Sequence, residues 1–123
     1  MGRNTFFEGF TSPGEAKYAV INAETSGDNT IVAAIAATAG RAAKKIRVLA
    51  LSATMTGTLV TIRFESGASG TALTGQMGPL AGHTLLFPFN PVGWFETAAG
   101  ELLNMELSGG QSVDGCLVYV EVD

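Results

Sequence analysis

The sequence predicts an all-β protein, an antiparallel β-sandwich of jelly-roll type, and three observations carry that expectation. Val60, Ile62 and Phe64 alternate with Thr61, Arg63 and Glu65, the period-two pattern of a strand with one buried face. Sixteen glycines in 123 residues is about double the usual frequency, as tight turns between many short strands require. Apolar runs of strand length recur from Lys44 to the end of the chain, separated by those glycines.

Taken in order, Met1–Lys17 is expected to form no element. Phe6, Phe7 and Phe10 sit among Gly2, Gly9, Pro13 and Gly14 with neither helical nor strand period, so residues 1–17 read as an irregular N-terminal arm. Residues 18–123 form the sandwich domain. Tyr18–Ala23 is its first strand, and Ser26-Gly27-Asp28-Asn29 is a cluster of turn formers. Thr30–Ala37 is ambiguous: its alanines favour helix, while Ile31, Val32, Ile35 and its short length favour a strand. Ile46–Thr54 is apolar on both faces, as expected of a central strand covered on each side. Thr56-Gly57 then makes a tight connection into Leu59–Glu65, which predicts a hairpin. Further strands are expected at Leu85–Phe87, Trp94–Thr97, Leu102–Ser108 and Cys116–Val122. Eight or nine strands at this spacing favour a jelly roll over an immunoglobulin-type Greek key, whose cysteine–tryptophan–cysteine core is missing.

Composition bounds the function. Charged residues make up 15% of the chain, against about 25% in an ordinary soluble domain. A small domain has much surface to cover, so this shortage predicts that part of the exterior is buried against another protein. The net charge is −4, and the only adjacent basic pair is Lys44-Lys45. No basic stripe exists to neutralise phosphates, so nucleic acid is not an expected partner. The longest apolar run, Ile31–Ala37, is far short of the roughly 18 residues of a membrane span. No secretory signal pattern opens the chain, and the myristoylation pattern that Met1-Gly2 begins fails at Phe6. One cysteine, Cys116, permits no intrachain disulfide. The expectation is therefore a cytosolically made protein stabilised by packing.

Catalytic chemistry is not expected. His83 is the only imidazole, and no nucleophile motif accompanies it. Zinc wants three or four His or Cys ligands, and the chain has His83 and Cys116. Glu96, Glu101 and Glu106 are close in sequence and deserve comparison with paired glycosidase carboxylates. Glu106, however, shares a strand face with Leu102 and Asn104, opposite Leu103, Met105 and Leu107, so these acids read as a solvated or interface row. No calcium-loop pattern links Asp28, Asp114 and Asp123. No glycine loop precedes a helix to cradle phosphate. No catalytic residue, metal or cofactor is assigned, and the protein is not expected to be an enzyme.

Aromatic residues supply the partner-contact candidates: Phe6, Phe7 and Phe10 in the arm, and Phe89, Trp94 and Phe95 in the run Phe87-Pro88-Phe89-Asn90-Pro91-Val92-Gly93-Trp94-Phe95. The arm either plugs its own sandwich or docks on a neighbouring subunit. Two prolines make the second segment an irregular crossing. Its aromatics serve as a core plug, a sugar-stacking platform or an oligomer contact.

The run from Ile46 to Val122, with IRVLALSATMTGTLVTIRFESG, FPFNPVGWFETAAGELLNMELSGG and CLVYVEV, resembles small structural proteins of tailed bacteriophages. In particular it is similar to head decoration (cement) proteins with a jelly-roll body. The likeness covers about two-thirds of the chain and leaves the arm outside it. It implies a virion protein on the capsid exterior, made in the host bacterial cytoplasm, that binds the major capsid protein as a homo-oligomer. A trimer is favoured and a dimer is the alternative. The rival expectation is a lectin-like or tail-associated carbohydrate-binding module, followed by a small β-sandwich lyase or hydrolase using carboxylates.

Overall fold

The structure, a computed structural model, describes residues 15–56, 60–78 and 82–123. Phe6, Phe7 and Phe10 lie outside the described residues, and so does nearly all of the expected arm. Among the described residues there is no helix. Nine strands follow in order: β1 (Lys17–Ala23), β2 (Gly27–Val32), β3 (Lys45–Met55), β4 (Ile62–Ser66), β5 (Thr71–Ala72), β6 (Thr84–Phe87), β7 (Phe95–Glu96), β8 (Leu103–Leu107) and β9 (Val113–Val122).

They form two antiparallel sheets packed as a β-sandwich. Sheet A has the order β1-β9-β3-β6, with β7 also paired to β3; sheet B has the order β2-β8-β4-β5. Alternation along each strand supplies the core. Sheet A turns Ile21, Ile46, Val48, Leu51, Met55, Val113 and Leu117 inward, and sheet B turns Ile62, Phe64, Leu103, Met105 and Leu107 to meet them. Each of these large side chains contributes about 1.5–3 kcal/mol on burial.

Four sequence expectations change. Residues 27–29 are not a turn: Gly27, Asp28 and Asn29 open β2, paired to Leu107, Glu106 and Met105. The Asn29 side chain supplies the turn instead, accepting from the backbone N–H of Thr25 at 3.1 Å and donating to its carbonyl at 2.8 Å. The ambiguous Thr30–Ala37 is strand only to Val32, after which isolated bridges Ile35–Lys44 and Thr38–Arg41 carry the chain back. The expected hairpin between β3 and β4 does not exist, because the two strands lie in different sheets. Their apolar sides face each other across the core, and a hairpin would have set them side by side.

The fourth correction concerns β3. It is central, between β9 and β6, but only one of its faces is covered. Its unbroken apolar run comes from a β-bulge: the register with β9 shifts between Val48 and Ala50. Ile46 and Val48 point inward before the bulge, and Leu51, Ala53 and Met55 after it, leaving Ala50 half-buried and Ser52 and Thr54 exposed. One extra residue had concealed the alternation.

Opposite this bulge, β6 and β7 behave as one interrupted edge strand. Phe87 pairs with Leu51 and Phe95 with Val48, while Pro88–Trp94 loops out between them. The prolines make this excursion necessary, since neither can donate to the ladder.

Candidate interaction surface

The outer face of sheet A carries an apolar band. Register places Tyr18, Val118 and Ala50 in one row across β1, β9 and β3, and Val20, Cys116, Ser52 and Leu86 in the next. Tyr18 is 76% exposed, and Val20 and Leu86 are each 65% exposed. Beyond them the row Asn22, Asp114, Thr54 and Thr84 is polar. At the other end Arg47 donates to Glu96 at 2.9 Å, with Lys45 3.6 Å from the same carboxylate. An apolar patch rimmed by polar groups in this way is the usual form of a protein contact site.

The Pro88–Trp94 excursion overhangs the band. The β3 bulge leaves carbonyls free to hold it: Asn90 N donates to Leu49 O at 2.8 Å and Trp94 N to Val48 O at 2.8 Å. The Asn90 side chain accepts from Val92 N at 3.0 Å, and Gly93 N donates to Asn90 O at 2.9 Å. Gly93 has φ +99°, and a Cβ there would lie 2.5 Å from Arg47 Cγ, so the tight passage requires glycine.

This anchored loop sorts the aromatic candidates. Phe95 faces inward, its ring centroid 4.9 Å from Phe64, and belongs to the core. Trp94 is 43% exposed, packs edge-on against Phe87 at 5.1 Å and donates its indole N–H to Pro88 O at 2.7 Å. Phe89 is 66% exposed. Together with Ala50, Ser52, Leu86, Cys116 and Val118 it lines an open groove of about 240 Å3. Of the described candidates, Phe89 and Trp94 are therefore presented outward and Phe95 is not.

Sheet B presents the opposite chemistry. Asp28, Glu106 and Arg63 form one outward row, and Thr30, Asn104 and Glu65 the next. The Arg63 guanidinium donates to Glu65 at 2.9 Å and to Glu106 at 2.8 Å; the Glu65 hydrogen bond is the main cause raising the Arg63 pKa above its ordinary value. Asn104, fully buried, donates to Asp28 at 2.8 Å and to Glu65 at 3.0 Å, and accepts from Asn29 N at 2.8 Å. The turn after β4 folds over this network: Ser69 donates its hydroxyl to Asp28 at 2.8 Å and its backbone N–H at 3.1 Å. Those bonds, with Asn104 third, hold the Asp28 carboxyl below its usual range. Ser69 takes φ 49° to do so, an uncommon conformation for a non-glycine residue.

Oxygen atoms of Asp28, Glu65 and Glu106 lie within 4.8 Å of one another, a spacing that invites comparison with a cation site or a catalytic pair. Arg63 and Asn104 already occupy the space between them, and Glu65 is 1% exposed. The arrangement is a hydrogen-bonded strut in which one guanidinium and one amide bridge three carboxylates. Sequence reasoning missed it, although Arg63 with Glu65, and Asn104 with Glu106, were each visible as outward pairs. The missing knowledge was that β4 and β8 are neighbours.

The other sequence candidates separate. Glu96 pairs with Arg47, Glu101 accepts from the Ser66 hydroxyl, and Glu106 pairs with Arg63, so the three acids do not converge. His83 is exposed beside β6, and its carbonyl accepts from Met55 N at 3.2 Å. Cys116 is an exposed free thiol within the apolar band. No family model and no curated protein matches the chain.

Proposed function

We propose that the protein is a structural decoration (cement) protein that binds the outer surface of a tailed-phage capsid as a homo-oligomer and braces the major capsid subunits. The observation that carries this reading is the apolar band of sheet A with Phe89 held over it. The sequence resemblance supplies the identity of the target. A jelly-roll body is part of the proposal. The orders β1-β9-β3-β6 and β2-β8-β4-β5, with most successive strands in opposite sheets, support two interlocked Greek keys. Such a protein acts by addition. It binds the assembled lattice at many equivalent sites, so modest contacts sum to a stabilisation that grows with free protein until the sites fill. The site of action would be the virion exterior, after synthesis in the bacterial host.

The test is to add the protein to undecorated cognate heads. Saturable uptake at symmetry-related positions, with a rise in the temperature at which DNA escapes, is the expected result. Uptake by tail fractions or glycans, with none by heads, would replace this reading with the carbohydrate-binding module, in which a sugar stacks on Phe89 or Trp94.

A further inference from the structure

The four edges of the two sheets are not equally defended. An edge strand offers unpaired N–H and C=O groups to any second strand, and proteins guard against this with short edges, prolines, bulges or charges. On the far side of sheet A the edge is β6 and β7, of four and two residues, interrupted by the Pro88–Trp94 loop. In sheet B, β5 has two residues, and β2 carries Asp28 and a register shift between Thr30 and Val32.

Strand β1 has none of these devices. Its seven residues, Lys17–Ala23, pair with β9 without a register shift and contain no proline. Its one charge is Lys17, whose ammonium is drawn across the sheet to Glu121 at 2.8 Å, away from the open side. No described residue outside β9 pairs with it. Tyr18 and Val20, among the most exposed apolar side chains described, stand on this strand.

We propose that β1 is a self-association edge, on which a second copy of this chain adds its own β1 antiparallel about a two-fold axis. Only registers that pair even with even residues keep both sheet faces continuous, because a one-residue slip would turn Ile21 outward. Pairing about Ala19 meets this condition and sets Tyr18 of each copy against Val20 of the other, an aromatic–β-branched pair of the kind that stabilises sheets. No like charges face each other in that register. The contact is isologous, which gives a closed dimer and not a trimer. It also joins the apolar bands of the two copies into one surface. The inference stands on the strand edges and holds whether or not the dimer coats a capsid. A single strand pair is a small interface, so the dissociation constant belongs in the micromolar range.

Sedimentation or light scattering of the full chain from about 5 to about 500 µM, a range that brackets such a constant, should show a monomer–dimer equilibrium. Val20→Lys should weaken it at least about tenfold by removing both Tyr18–Val20 pairs and setting two like charges diagonally across the seam. Val92→Lys, at an equally apolar and 77% exposed position on the loop, should leave it unchanged. In the wild type, amide exchange along β1 should slow as concentration rises, a readout that does not depend on any variant folding. A monomer throughout this range, a trimer, an equilibrium insensitive to Val20→Lys, or β1 amides protected equally at all concentrations by a segment of the same chain would each overturn the proposal.

Discussion

Asn104→Ala tests the sheet B strut most directly. The wild-type side chain is fully buried and makes three hydrogen bonds, to Asn29 N, Asp28 and Glu65. Their loss is unequal. Asp28 is exposed and keeps both Ser69 donors, so it loses little. The Asn29 N–H, half-buried, is left without its acceptor, at about 1–3 kcal/mol. Glu65 is 1% exposed, and its Oε1 loses the Asn104 donor while Arg63 holds Oε2. A hydrogen bond to a charged group is worth about 1.5–3 kcal/mol. The sum is about 2.5–6 kcal/mol, or a fall in Tm of roughly 10–25 °C for a domain of this size. Urea denaturation at neutral pH should show the lower midpoint with an unchanged slope. Asn104→Asp separates geometry from charge. It keeps the acceptor for Asn29 but sets a third carboxylate beside Asp28 and Glu65. That raises the pKa of the new group in the fold, so the penalty is present at neutral pH and shrinks as pH falls below the raised value. A loss under about 1 kcal/mol for Asn104→Ala would refute the strut, since that is within the reach of an ordinary surface change.

Other expectations follow from single contacts. A Cβ at Gly115 would overlap the backbone carbonyl of Ser52, with no flexible side chain to yield, so Gly115→Ala should cost about 3 kcal/mol, the upper end of the usual overpacking range. Gly75→Ala, with open space around it, should be close to neutral by the same melting assay. The Asp28 carboxyl is held down chiefly by the Ser69 hydroxyl. Its contribution is therefore present above the unfolded-state value and lost as pH falls through the depressed folded one. NMR titration should find the Asp28 pKa higher in Ser69→Ala. Phe89→Ser should leave the melting temperature within a few degrees and reduce uptake by phage heads, because the ring is 66% exposed. His83→Ala should change neither.

The legible part of the fold was whatever local alternation encodes. Strands β4 and β8 announced themselves because apolar and polar residues alternate there with one face in the core, and the inward set Leu103, Met105 and Leu107 was read correctly; β1 and β9 were found as apolar runs of strand length. Elements failed where a second principle intervened. In β3 a bulge merged two inward sets into one apolar run. In β2 the turn formers Gly27, Asp28 and Asn29 serve as strand, since Asn29 caps the preceding turn with its side chain while its backbone pairs with β8. The β3–β4 connection looked like a hairpin because sequence spacing cannot tell a turn within a sheet from a step between sheets. Aromatic density singled out Phe89, Trp94 and Phe95 together, but density alone could not tell the exposed Phe89 and Trp94 from the inward Phe95. That distinction comes from the bulge carbonyls that fix the loop.

The two sheets thus divide the exterior by chemistry, and the division explains the low charge of the chain. Five basic side chains, Lys17, Lys44, Lys45, Arg47 and Arg63, are each committed to an acid. On sheet B the acids are tied to Arg63 and Asn104, with Glu65 and Asn104 buried and Asp28 and Glu106 reaching solvent at the rim. On sheet A the same sandwich leaves Tyr18, Val20, Leu86 and Phe89 uncovered, the apolar surface on which the proposed association rests. Stability and contact are thereby separated. Substitutions in the polar network of sheet B should act on folding and those on the apolar face of sheet A on association, and the melting and uptake measurements above distinguish the two.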